Sequence, residues 1–226
     1  MDSLFGRIDH LVYVVPDLEL ACAEFAEKTG VKPVFGGRHL TRGTMNALVG
    51  LGHRCYLEFL AIDPDNHEIP PPRWMGVDLV TQPTMTRWAL ATDDLPGSLS
   101  SLAAYDPAMG KIEPGQRKTP AGHLLQWSLT PPRPAPAVEI MPFLIDWSQS
   151  DFHPADGLES GCRIESFKLY HPQPENVLPT LRELGLEADV YQTCPATQES
   201  GRGSKVEIEL TLLTPRGTWT THNVDS

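Results

Sequence analysis

Ile8-Asp9-His10-Leu11-Val12-Tyr13-Val14-Val15-Pro16-Asp17-Leu18 is the stretch whose reading decides the fold. The run from Ile8 to Val15 is rich in β-branched and aromatic residues and predicts a strand; Pro16 stops it, and Asp17 supplies the carboxylate a helix N-cap needs. Alternation puts His10, Val12 and Val14 on one face and Leu11, Tyr13 and Val15 on the other. The bulkier set suits a helix-covered side, so His10 is expected to look into whatever the sheet curves around.

Outward from this strand, Leu18, Ala21, Cys22 and Phe25 fall at helical spacing, Glu19, Glu24, Glu27 and Lys28 take the opposite face, and Gly30 is placed to end the helix. An extended piece around Val34, a Gly36-Gly37 turn, a strand from Gly43 to Leu51 and another from Arg54 to Asp63 complete a βαβββ unit over residues 1–63. Residues 64–83, with Pro70-Pro71-Pro72 inside, read as a stiff connector.

The same order recurs over residues 84–147. Thr84 to Thr92 is a strand, Asp93-Asp94-Leu95 answers Pro16-Asp17-Leu18, and a weaker helix runs through Leu99, Leu102 and Ala103. Arg117 to Gly122 answers Arg38 to Gly43; the strands His123 to Thr130 and Val138 to Trp147 follow, separated by the proline-rich loop Pro131 to Pro136. In the extension, 148–226, a strand Ile164 to Tyr170, a helix carrying Val177, Leu181 and Leu184, and strands Lys205 to Leu213 and Gly217 to Thr221 read as a shorter third copy, with Glu207 and Glu209 facing water. The whole is an α+β pattern.

Composition narrows the function classes. With 226 residues, 40% of them hydrophobic, the chain can bury a core without disulfides or metal. Its 18 basic and 29 acidic residues give a net charge of -11, which disfavours nucleic acid and membrane surfaces as partners. No apolar run reaches the ~20 residues of a membrane-spanning helix, and Met1 to Arg7 lacks a signal-peptide start, so a cytoplasmic location is expected. Cys22, Cys55, Cys162 and Cys194 form no C-x-x-C pair, and there is no G-x-S-x-G, phosphate-cradling glycine loop or H-E-x-x-H.

The first strand, with Gly36-Gly37-Arg38-His39, Gly43-Thr44-Met45-Asn46-Ala47-Leu48 and Tyr56-Leu57-Glu58-Phe59-Leu60-Ala61-Ile62-Asp63-Pro64, resembles the glyoxalase-like domain family of the vicinal-oxygen-chelate superfamily. Pro142-Phe143-Leu144-Ile145-Asp146-Trp147 and His153-Pro154 extend the likeness, which covers roughly Arg7 to Tyr170; His153-Pro154 itself reads as a turn positioning the extension. The resemblance implies repeated βαβββ modules curled into a half-open barrel around a small-molecule cavity, helices outside. It fixes no reaction, because the superfamily includes isomerases, lyases, dioxygenases and proteins that only bind.

The resemblance also implies that His10 and Glu58 sit where metal-binding relatives keep ligands, a donor pair suited to Zn, Fe, Ni or Mn. The second module departs from that pattern, since Arg87 answers His10 and either Glu139 or Met141 answers Glu58. An arginine cannot ligate a cation. The metal set would then be completed by His123, or by His39. A metal-free pocket uses the same residues differently: Arg87 forks onto a carboxylate or phosphate, His10 or His39 moves a proton, Glu58 acts as base, Thr44 and Asn46 add hydrogen bonds, and Trp127 walls the cavity. The expectation is an enzyme of lyase or isomerase type with His10 and Glu58 as catalytic centre, acting on a small oxygen-rich molecule. The alternative is a non-catalytic binding or sequestering protein, and the extension is a candidate homodimer contact.

Overall fold

The computed structural model describes residues 6–193 and 205–221; Cys194 and His222 lie outside them. β1 (Ile8–Val14) leads into α1 (Leu18–Thr29), β2 (Val34–His39), β3 (Thr44–Gly52) and β4 (Cys55–Ile62). The order repeats as β5 (Thr84–Ala91), α2 (Leu95–Tyr105), β6 (Glu113–Lys118), β7 (Leu124–Leu129) and β8 (Phe143–Asp146). These strands form one eight-stranded sheet in the order β2-β3-β4-β1-β5-β8-β7-β6. β1 pairs antiparallel with β5 at its centre, while each module folds its last strand parallel to its first, β4 on β1 and β8 on β5. The sheet curls until its two edges meet, and Arg117 Nη1 on β6 donates to the Gly36 carbonyl on β2 across the seam.

Local chemistry sets these elements. Asp17 caps α1 by accepting from the Leu20 amide at 2.9 Å, and Gly30 ends it in the left-handed conformation at φ 78°. Asp94 does the same for α2 through the Gly97 amide at 3.0 Å. Gly36-Gly37, expected as a turn, lies inside β2. The sterics require glycine there: a Cβ on Gly36 would stand 2.5 Å from Asn46 Oδ1, and Gly37, at φ 142°, faces the Lys118 carbonyl across the seam. The turn comes later, over His39–Gly43, closed by the Gly43 amide on the His39 carbonyl at 3.0 Å.

Alternation divides the core in two. Val12, Val14, Leu60, Ala89, Leu125, Trp127, Leu129, Phe143 and Ile145 fill the concave side. Leu11, Val15, Phe59, Met85, Trp88 and Leu90 point to the convex side and join the helices there. That side is also covered by a second sheet of β9 (Arg163–His171), β10 (Val190–Gln192), β11 (Glu207–Thr214) and β12 (Gly217–Thr220), ordered β10-β9-β11-β12, with α3 (Leu178–Glu183) between β9 and β10. Trp219 meets Phe25 and Tyr13 edge-on at 4.9 and 5.7 Å, and Phe167 meets Trp88 at 5.2 Å. The extension has the same kinds of element as a module but a different pairing, because β9 takes its parallel partner from β10, the strand after its helix. Glu209, expected in water, is buried beside Lys168 at 2.9 Å.

Two further segments differ from expectation. The connector 64–83 does more than span: a 3-10 turn at Trp74–Gly76 lays Trp74, Met75 and Val77 into the cup. The last strand of the second module is shorter than Val138 to Trp147, covering Phe143–Asp146 alone. Among the described residues no helix is long and apolar enough to cross a membrane.

Candidate functional site

Four strands of the first module place polar side chains on the concave face: His10 on β1, His39 at the end of β2, Thr44 and Asn46 on β3, Tyr56 and Glu58 on β4. All six are buried. The parallel register of β1 with β4 sets His10 beside Tyr56, their rings stacked at 4.8 Å, with Phe143 edge-on to His10 at 5.3 Å. His10 Nε2 and Glu58 Oε2 lie 3.8 Å apart, longer than a hydrogen bond and close enough for both to contact one group placed beside them. Asn46 Nδ2 donates to Glu58 Oε1 at 2.6 Å, and because a carboxylate only accepts, this fixes the amide's orientation. Asn46 Oδ1 is left buried without a donor.

Behind His10 runs a second line. His10 Nδ1 lies 2.6 Å from Asp9 Oδ1, while Asp9 Oδ2 accepts from Trp147 Nε1 at 3.0 Å and lies 2.9 Å from His153 Nε2. Asp9 and His10 are neighbours, and strict alternation would send them to opposite faces. A bulge in the β1–β5 pairing between Ile8 and His10 makes Asp9 the extra residue and frees its carboxylate to reach round. Burial alone would raise the Asp9 carboxyl, but hydrogen bonds and attraction from His10 and His153 hold it below the ordinary carboxylate value. An ionised Asp9 keeps the proton on His10 Nδ1, so Nε2 is the ring atom that can exchange a proton with the cavity.

The cavity between these groups is small, about 30 Å3, room for one or two waters. Trp74, Trp127 and Arg117 complete its wall. His39 sits against Trp74 at 5.3 Å and contacts Thr44 Oγ1 through Nδ1 at 3.1 Å, and that hydroxyl also accepts from Trp74 Nε1 at 3.1 Å. Burial, then the charge of Arg117, pulls His39 down to about 3, so it is a neutral imidazole near pH 7. Burial pushes the Tyr56 phenol far up, with Asp9 and Glu58 adding to the effect, so it keeps its proton. Arg117 is itself buried, which lowers its guanidinium, while Tyr56 and Glu58 favour its charge.

Two expected contributors, Arg87 and His123, stand elsewhere, as does Glu139, one of the two residues that answer Glu58 in the repeat. Arg87 faces the concave side of the second module, but its donors are taken by backbone carbonyls: Nη1 by Thr86 at 2.7 Å and Ala137 at 3.0 Å, Nη2 by Arg133 at 2.9 Å and Pro136 at 2.6 Å. It anchors the proline-rich loop and does not reach the His10 cavity. Burial brings it down to about 10, still a cation near neutrality. His123 is exposed at the rim, stacked on Phe152 at 4.2 Å, and does not join His10 and Glu58. Glu139 accepts from Tyr105 Oη and the Met141 amide.

A divalent metal on His10, Glu58 and His123 does not fit this arrangement. Among the described residues no three His, Cys, Asp or Glu side chains converge to hold an ion, and the Arg117 guanidinium lines the very cavity where a cation would sit. Asp9, Tyr56, Trp74, Arg117 and His153 were not singled out from the sequence. Two signals pointed to some of them: Arg117 answers Arg38 in the repeat, and Asp9 adjoins His10.

Searched against curated proteins, the chain has no match. Among solved structures, a hypothetical protein from Staphylococcus aureus superposes with a TM-score of 0.57 at 14% identity, over 94% of this chain and 84% of that one, a likeness of fold alone. Looser superpositions include methylmalonyl-CoA epimerase from Mycobacterium tuberculosis (TM-score 0.41, 19% identity, 65% of this chain and 91% of that one) and a Streptomyces coelicolor methylmalonyl-CoA epimerase variant (0.40, 16%, 63% and 97%). The family model described as glyoxalase-like domain matches residues 8–185. With that match lying over two βαβββ modules curled around a common cavity, the chain belongs to the glyoxalase-like domain family of the vicinal-oxygen-chelate superfamily.

Proposed function

We propose that this protein is an isomerase-type or lyase-type enzyme that moves a proton on a small oxygen-rich molecule, with Glu58 as base, His10 as its proton-exchanging partner and Arg117 as the electrostatic clamp. The observation that carries the reading is the pair of groups able to transfer protons, His10 Nε2 and Glu58 Oε2, 3.8 Å apart in the wall of one water-sized cavity that a buried arginine also lines. Glu58 takes a proton from a carbon beside a carbonyl; the C–H electron pair becomes an enolate, whose oxygen charge falls to Arg117. Glu58 passes that proton, or one exchanged for it with solvent, from Oε2 to His10 Nε2, and His10, held in line by Asp9, delivers it to a carbon of the enolate, which returns both groups to their starting state. Asn46 keeps Glu58 aimed through Nδ2, and the step asks for an acidic carbon–hydrogen bond beside a carbonyl, as in hydroxycarbonyl compounds and oxo acids.

The test is carbon-bound hydrogen exchange. Pyruvate, hydroxypyruvate and dihydroxyacetone are incubated with the protein in D2O and followed by proton NMR. Faster deuterium wash-in with the wild type than with Glu58→Gln is the expected result. Binding of these compounds without any catalysed exchange would replace the enzyme by a binding protein with the same cavity.

A further inference from the structure

A second and larger hollow opens on the far side of Arg117. It measures about 360 Å3 and is walled by Val34, Phe35, Leu48, Leu125, Phe152 and Pro154 along the β2–β6 seam. Three of these apolar side chains stand well out in solvent: Val34 is 55% exposed, Phe35 45% and Phe152 42%. Arg117 and Pro154 belong to the walls of both hollows. The guanidinium is thus the shared partition, with polar groups on one side and an apolar groove on the other.

Resting on the proton-transfer reading above, we infer that the substrate is an acid or oxo acid carrying an apolar ring or branched tail: its oxygens enter the inner cavity at Arg117, and its tail lies in the seam groove against Phe35 and Phe152. Charge complementarity places the head, since the buried Arg117 lines both hollows. Size places the tail. The inner cavity holds a water or two, whereas the groove lies within the range of small-molecule pockets. The His123 ring, stacked flat on Phe152, becomes part of the rim the tail passes.

The experiment compares acetate with phenylacetate by NMR titration of the intact chain, following the Trp74 and Trp127 indole signals at the inner cavity. Phenylacetate is expected to bind about tenfold tighter or more, from burial of the ring. The ratio of the two affinities should fall several-fold in Phe152→Ala, and both ligands should weaken in Arg117→Gln. Equal, Arg117-dependent affinities would overturn the tail groove and leave the proton-transfer reading standing. Phenylacetate binding that ignores Arg117→Gln would also overturn it, exposing a plain apolar patch. No binding of either acid overturns the inference and counts against the clamp as well. Because Arg117 is buried and its variant could misfold, Phe152→Ala, at an exposed position, decides the tail by itself.

Discussion

The two modules have the same strand order but opposite interiors. The first presents His10, Asn46, Tyr56 and Glu58 to the cavity; the second presents Leu125, Trp127, Leu129, Phe143 and Ile145, and spends the buried cation Arg87 on three loop carbonyls and that of Thr86 on its own strand. The contrast shows how a repeated backbone can be divided between a polar interior and an apolar one. Equivalent positions on equivalent strands acquire different work because of what each faces: His10 faces a gap, Arg87 faces a loop folded over it. Arg117 brings a charge from the second module to the polar cavity of the first, and it does so at the seam.

The sharpest way to break this contrast is to exchange charge for shape on each side. Glu58→Gln keeps the Asn46 contact and is expected to slow any catalysed carbon–hydrogen exchange about a hundred- to ten-thousandfold, read by NMR, with little change in stability. Arg87→Met should do the reverse. Stranding buried carbonyls is expected to cost about 3 kcal/mol of unfolding free energy by urea titration, without a direct effect on the His10–Glu58 pair. If Arg87→Met removed exchange at unchanged stability, the division of labour drawn here would be wrong.

A smaller effect sharpens the polar side through pH. His39 is held near 3 in the folded chain and returns to its ordinary value, 6.5, when unfolded. Between those values the unfolded chain binds a proton that the folded one refuses, so stability falls as pH falls through this window, by at most about 1.4 kcal/mol per pH unit from this one group. Asp9, whose folded value is depressed, contributes in the same direction only at lower pH, from about 3.8 downward. His39→Gln should therefore flatten the stability curve between pH 4 and 6 (a range of roughly two units) in urea titrations. An unchanged slope would mean that His39 charges in place. The smallest effect is expected at the rim, where His123→Ala should change unfolding free energy by less than about 0.5 kcal/mol, as its stack on Phe152 is exposed.

Much of the fold was legible because strand alternation is a local signal. The parity of Ile8 to Val15 put His10 on the concave side, which is where it lies, and Glu58 shares that side with Leu60 two residues on. What failed depended on partners far along the chain. Arg87 looks like an available ligand group until the loop at 133–137 closes over it, a contact between segments 46 to 50 residues apart. Arg117 reaches the cavity because the barrel's edges meet, at a separation of 81 residues from Gly36. Asp9 was hidden by a bulge, which breaks the two-residue rhythm on which the reading of β1 rested. Gly36-Gly37 carried the ordinary signature of a turn, although the demand it answers is steric crowding from Asn46 and Lys118.

The four-stranded layer on the convex face has a practical consequence. Phe167, Leu210 and Trp219 bear on Trp88, Tyr13 and Phe25, so the barrel's back is an oily surface that the last third of the chain seals. A fragment trimmed after Trp147 would present those aromatics to solvent and is expected to clump. Stickiness of that piece would say nothing about how the whole protein assembles, and anyone seeking a minimal stable barrel should keep the covering layer.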